Sequence, residues 1–243
     1  MIRSQKKINT SIRQEEVASG SKDVLVSLDT AKSWFERNRP KVYVGLALIA
    51  IGAVALFLWR SGAEADNETA STWLSRITND AYNSNNYRKA IDGDNAQRVG
   101  NEPLRGLREI VNTYGSTRSG QMAKIYLANA YYYVGQSDSA MRIFEDISAG
   151  EPLVKASVDA GKATIFQEKG NKEEAAKLFM SAAGMDPVNP LNADYTLAAA
   201  KNFEELGKKD DAVKAYRRLL EDYPGTQFDD AAKRALMKMN VAL

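Results

Sequence analysis

Residues 121–153 read QMAKIYLANAYYYVGQSDSAMRIFEDISAGEPL, and the same pattern returns twice further along the chain. Aligned on Gly135, Gly170 and Gly207, the three stretches share five residue classes at fixed offsets. Seven residues before each glycine is an alanine (Ala128, Ala163, Ala200), and four before is an aromatic (Tyr131, Phe166, Phe203). Five after is a second alanine (Ala140, Ala175, Ala212), nine after a second aromatic (Phe144, Phe179, Tyr216), and seventeen after a proline (Pro152, Pro187, Pro224).

Each column has a physical reason. A small residue lets two helices cross closely, and an aromatic three positions later fills the groove beside it on the same face. Glycine ends the first helix because the turn that follows needs a positive φ, which is costly for a residue carrying a Cβ. The second alanine and its aromatic at i+4 form the facing stripe of a second helix. Proline, which has no amide to donate, is expected to stop that helix.

The glycines are 35 and 37 residues apart, close to the tetratricopeptide period of roughly 34 residues. With its columns, the chain resembles a tetratricopeptide-repeat (TPR) protein, with units at 121–153, 156–189 and 193–227. The resemblance implies an all-α fold, a solenoid of stacked helix pairs that binds other proteins or peptides. The tryptophan that the family places early in the first helix is absent, its positions held by Lys124, Asp159 and Thr196.

Upstream, LRGLREIVNTYG (Leu104–Gly115) resembles the helix that ends the third unit. This predicts a degenerate first unit over 69–120, with its first helix in Thr69–Tyr87 and an irregular insertion at Ala90–Pro103 around Gly93, Gly100 and Pro103. Downstream, 228–243 reads as a capping helix. Ala231, Ala235 and Met239 share one of its faces, and Lys233, Arg234 and Lys238 are left for solvent, because the last repeat has no successor to cover it.

The mean hydropathy of −0.42 hides one uncharged run, VYVGLALIAIGAVALFLW at 42–59. Eighteen residues at the helical rise reach about 27 Å, enough to cross a bilayer with slight thinning. Tyr43 and Trp59 stand where interfacial aromatics belong, between Lys41 and Arg60. A core helix would carry a polar stripe, and a cleaved leader would not begin with 41 residues ahead of its apolar run. A single N-terminal transmembrane helix is therefore expected. Lys22, Lys32, Arg37, Arg39 and Lys41 precede it, whereas only Arg60 and Arg76 follow closely. The positive-inside rule then places the N-terminus in the cytoplasm and everything after Arg60 on the far side, which for a bacterial inner membrane is the periplasm. Residues 1–20 read as a disordered tail. Residues 21–39 read as an amphipathic juxtamembrane helix (Val24, Leu25, Leu28, Ala31, Trp34, Phe35) stopped by Pro40, lying on the bilayer or docking a partner.

The 243 residues include no cysteine and no histidine, with 33 Lys+Arg against 31 Asp+Glu. This excludes disulfides, thiolate or imidazole metal sites, and Ser-His or Cys-His catalysis. The near-neutral balance argues against a nucleic-acid binder. There is no phosphate-binding glycine loop. Asp92-Gly93-Asp94-Asn95 lacks the spacing of a calcium loop and reads as a turn. Adjacent carboxylates such as Glu173-Glu174 and Glu204-Glu205 diverge by about 100° on a helix and do not converge on one substrate. No enzyme activity, cofactor, metal or small-molecule substrate is expected.

The TPR resemblance implies a concave groove lined by the first helix of each unit. Its positions would be Met122, Ile125, Asn129, Tyr132 and Tyr133, then Ala160, Thr164, Gln167 and Glu168, then Leu197, Lys201, Glu204 and Glu205. Tyr132 and Tyr133 either anchor a peptide there or pack on the preceding unit. A carboxylate clamp is not expected, because Lys124 is one position out of register and Asp194 stands where a base belongs.

The layout of tail, span and outer repeats is similar to that of the YfgM-like family of membrane-anchored bacterial TPR proteins. That similarity implies a protein–protein interaction scaffold with the Sec translocon or periplasmic chaperones as partners. A fixed structural subunit of a larger membrane complex is the alternative.

Overall fold

The computed structural model describes residues 32–148 and 150–241, with backbone alone for 2–31. The expectations of a disordered tail at 1–20 and of an apolar stripe at 24–31 lie outside the described residues. The chain divides into two compact units, Met1–Gly62 and Ala63–Leu243.

In the first unit, helix α1 (Ile2–Ile77) runs through Pro40 without stopping, so the expected break is not made. A proline inside a helix removes one i→i−4 bond, here to the Glu36 carbonyl, and a long helix on both sides can carry that loss. Two residues earlier, the Asn38 side-chain amide donates to the Trp34 carbonyl at 2.9 Å. Beyond Pro40 the apolar run is exposed among the described residues: Ile49 and Phe57 are 70% exposed and Trp59 73%. It is the one helical stretch among the described residues long and apolar enough to cross a membrane.

The second unit is built of helix pairs. In 63–77, the last part of α1, Ala70, Trp73 and Ile77 are buried, and a π-helical turn, Thr78–Tyr82, follows. The partner helix comes in two pieces, α2 (Tyr87–Asp92) and α3 (Leu107–Tyr114). Between them lies an antiparallel hairpin, β1 (Gly93–Val99) and β2 (Glu102–Arg105), where an irregular insertion was expected and where an all-α fold has no place for strands. Its two-residue loop, Gly100-Asn101, starts with φ +64° at Gly100, which suits a tight hairpin turn.

At the root of the hairpin, Gly93 and Gly106 bring backbone against backbone. A Cβ on Gly106 would collide with Ile91, Asp92 and Gly93 main-chain atoms. The hairpin is thus spliced into one helix, and α2 and α3 bury Ala90, Ile91, Leu107 and Ile110 in a common core. Lys89 fastens it to the π-turn, pairing with Asp80 at 2.8 Å and Asp94 at 3.4 Å and donating to Gln97 at 2.7 Å. Arg105 lies 4.9 Å from the ring centre of Trp73, which Arg76 also approaches at 5.1 Å.

Three regular pairs follow: α4 (Arg118–Tyr133) with α5 (Ser137–Glu145), α6 (Pro152–Glu168) with α7 (Lys172–Met185), and α8 (Asn192–Glu205) with α9 (Lys209–Asp222). Both alanine columns are fully buried, and Phe144, Phe179 and Tyr216 are 1–6% exposed. Gly135, Gly170 and Gly207 have φ of +78°, +79° and +70°, as the turns demand. The proline column does not act uniformly. Pro187 and Pro224 follow the ends of α7 and α9, but α5 ends seven residues before Pro152, which instead opens α6, a position where its missing amide costs nothing.

Where the family's tryptophan is missing, polar ties join the two helices of a pair. Lys124 donates to the Asp146 carboxylate at 2.6 Å, and Ser181 to that of Asp159 at 2.7 Å. Neighbouring pairs are clipped by Asp138–Lys169 at 2.6 Å and Glu173–Lys208 at 2.9 Å. Helix α10 (Asp229–Lys238) closes the stack. Its buried residues are Ala232 and Leu236, with Ala235 and Met239 beside them, so its inward face is shifted by about one residue from the expected Ala231, Ala235, Met239 stripe.

Candidate functional site

The first helices of the units carry the predicted groove positions, and the structure sorts them by what each already touches. Ile125 is 7% exposed, in one cluster with Val154, Val158 and Ile165, and Met122 packs beside it. Both belong to the core between α4 and α6, not to an open surface, because α6 closes over that face of α4. Glu204 is also committed, accepting from the Tyr216 hydroxyl at 2.8 Å and pairing with Lys238 at 3.4 Å. Burial, and then this carboxylate, push the Tyr216 phenol up. Thr164 donates to its own helix at Ala160, and Glu168 accepts from Ser137 at 2.9 Å. Glu205 pairs with Lys172, so the two members of Glu204-Glu205 turn toward opposite neighbours, as expected for adjacent positions on a helix.

Two open places remain. The first is aromatic. Tyr133 is 57% exposed and stacks on Tyr87 at 4.5 Å and 18°. Edge-on contacts continue this stack from Tyr87 to Tyr82 at 5.3 Å, from Tyr82 to Tyr126 at 4.9 Å, and from Tyr133 to Tyr132 at 5.6 Å. Both readings of Tyr133 therefore meet in one residue: one ring face lies on the degenerate unit while the side chain stays open to solvent. Burial, with Tyr133 and Tyr87 nearby, pushes the Tyr82 phenol up, against a hydrogen bond from Asn129. Burial and then Glu168 do the same to Tyr132.

The second is a cavity of about 270 Å³ between α6 and α8. Gln167 lines it from α6; Leu197 and Ala198 form its apolar part; Asp194, Lys201 and Glu205 supply charge. Asn202 also lines it although only 2% exposed. No lining residue comes from α7 or α9, so the cavity opens on the first-helix side.

The structure thus brings Asn129, Tyr132 and Tyr133 together at one place and Gln167 and Lys201 at another. Sequence reasoning missed Tyr82, Tyr87 and Tyr126, which lie on the degenerate unit or off the groove register. It also missed Asn202, whose signal is an amide set in an otherwise apolar Ala199-Ala200-Phe203 stripe. Asp92 and Asp94 do not converge on an ion: Asp92 pairs with Arg108 at 3.0 Å and Asp94 with Lys89. Among the described residues no cluster of acidic side chains could hold a metal.

Comparison with curated proteins and with solved structures gave no match. The model of a family described as tetratricopeptide repeat-like domain matches residues 32–242, taking in the apolar run as well as the repeats. With this match over most of its length, and with helix pairs, glycine turns and small and aromatic columns in register over 121–227, the chain belongs to the tetratricopeptide repeat-like domain family.

Proposed function

We propose that this chain is a single-span scaffold of a bacterial inner membrane whose repeat unit faces the periplasm and docks envelope proteins or their folding factors beside the translocon. The repeat-like domain makes it a protein–protein interaction module of a kind that is not typically enzymatic. The observation that carries docking on this unit is the pair of open places, the exposed Tyr133 at the end of α4 stacked on the half-buried Tyr87 of α2, and the α6–α8 cavity between two first helices. Tyrosine is a favoured anchor at interfaces because it offers large, rigid area with a polar tip.

The anchor rests on the exposed apolar run 42–59, and the orientation on the basic residues ahead of it. Partner choice rests on the layout shared with YfgM-like proteins, which points to the Sec translocon and periplasmic chaperones.

The absence of cysteine makes topology directly measurable. Single Ser4→Cys and Ser84→Cys variants are treated with a membrane-impermeant maleimide in spheroplasts. Labelling of the Ser84→Cys variant alone is expected, and labelling of the Ser4→Cys variant alone would overturn the orientation. For docking, a Tyr87→Ala, Tyr133→Ala variant captured from solubilised membranes is expected to lose the proteins that the wild type retains. Unchanged partners would sink the groove assignment. Co-migration with one stoichiometric assembly in mild detergent would favour the fixed-subunit alternative.

A further inference from the structure

We propose that the α6–α8 cavity takes a polyproline-II segment of a partner protein in which an acidic and a basic residue stand three positions apart with small apolar residues between them. This rests on the groove reading above and names the chemistry of its occupant.

Three features argue for it. Asn202 is nine-tenths buried and more, and its amide nitrogen is spent on Gln167 Oε1 at 2.7 Å and the Ala198 carbonyl at 2.8 Å. Its Oδ1 has no hydrogen-bond partner among the described residues. A buried acceptor left unpaired is costly, and a main-chain N–H of a peptide laid in the cavity is a fitting donor.

Second, the charges lining the cavity are not all used. Glu205 is held by Lys172 at 2.5 Å, whereas Asp194 and Lys201 have no hydrogen bond or ion pair among the described residues. The cavity therefore presents one free negative and one free positive group, with Leu197 and Ala198 between them in sequence.

Third, among extended conformations the spacing favours one for the occupant. Asp194 and Lys201 are seven residues apart on α8, two turns on one face, or about 10 Å along the axis. In a β-strand, side chains three apart point to opposite faces, and same-face positions fall at about 7 or 13 Å. A polyproline-II chain brings every third side chain to the same face at about 9 Å. An acid over Lys201 and a base over Asp194 then fit the two charges together. A volume of about 270 Å³ admits one or two small side chains over Leu197 and Ala198, and such a preformed helix loses little entropy on docking.

The test uses the full chain in detergent with four fluorescein-labelled proline-rich decapeptides, read by anisotropy. Two carry Glu and Lys three positions apart, one in each chain order; two carry them adjacent. The wild type is expected to bind a spaced peptide at least tenfold tighter than the adjacent ones, with one chain order preferred. Lys201→Glu should abolish that preference. The double exchange Asp194→Lys with Lys201→Asp should invert the preferred order, which a merely weakened fold cannot do. Equal binding of spaced and adjacent peptides, no binding by the wild type, or an unchanged order in the double exchange would overturn the proposal. If partner capture still depends on Tyr87 and Tyr133, that failure belongs to this inference alone. Capture that ignores them counts against the docking reading itself.

Discussion

A single methyl group at Gly161 tests whether the repeats pack as described. Gly161 sits inside α6, where replacing an exposed glycine by alanine stabilises a helix by about 1 kcal/mol. Here the new Cβ would point into the end of the Phe144 ring, with Cε1 and Cε2 each 2.6 Å away, against roughly 3.5–4.0 Å for relaxed carbon contact. Phe144 is 1% exposed and cannot swing into solvent. Overpacking of such a site costs about 1–3 kcal/mol, which outweighs the propensity gain and leaves a net loss of about 1 kcal/mol. Gly184 in α7 is the control, because its Cβ would meet nothing within 4 Å, so Gly184→Ala should stabilise by about 0.5 kcal/mol. Urea unfolding of the full chain in detergent, followed by circular dichroism at 222 nm, reads both variants. In a Phe144→Leu background the Gly161→Ala penalty should vanish, a coupling of about 1–2 kcal/mol. Stabilisation by Gly161→Ala equal to that by Gly184→Ala would refute the packing of Phe144 against α6.

Three further outcomes follow from the degenerate unit and the missing tryptophan column. The hydrogen bond from Lys89, then that from Gln97, hold the Asp80 carboxyl below its usual range, and the Ala96 amide does so first for Asp94. The Asp80 bond raises Lys89 in turn. Depressed carboxylates stabilise fully above their unfolded value of about 3.9 and lose that contribution as pH falls through the folded value. The raised lysine loses its contribution as pH rises past about 10.4. The hairpin should therefore loosen only below about pH 4 or above about pH 10, seen in the Gln97 side-chain amide resonances, and Lys89→Met should remove the plateau between. Joining Gly93 to Gly106 in place of the hairpin should leave hydrogen-exchange protection in α6–α9 unchanged, since repeats couple mainly to neighbours; lost protection in α8 would contradict this. Lys124→Met leaves the Asp146 carboxylate, 73% exposed, free to turn to water, so the loss should stay within about 1 kcal/mol in the same urea titration.

What the sequence made legible was whatever repeats. The alanine and aromatic columns appear three times, and each buried position they mark depends only on a neighbouring unit built from the same columns. The proline column was readable as a helix boundary but not as to which helix it bounds, because Pro152 serves α6 while its counterparts follow α7 and α9. The hairpin escaped because its strands are polar and do not alternate; only Gly100-Asn101 between Val99 and Glu102 signals a two-residue loop. In the groove, Tyr133 could be named but Tyr87, its stacking partner, could not, since the first unit keeps none of the glycine register. Ile125 and Glu204 were misplaced because helical register does not say that α6 covers one or that Tyr216 and Lys238 occupy the other. The unpaired oxygen of Asn202 depends on Gln167, 35 residues away, a contact that no local pattern encodes.

The central claim is that partner proteins dock on the first-helix side of the repeats. Site-specific photocrosslinking in the intact membrane tests it most directly, with a benzophenone amino acid at Tyr133 or Glu168 and, on the opposite helices, at Lys214 or Glu221 of α9. Discrete crosslinked partners are expected from Tyr133 and Glu168 and none from the two α9 positions. Crosslinks from α9 with none from Tyr133 or Glu168 would contradict it.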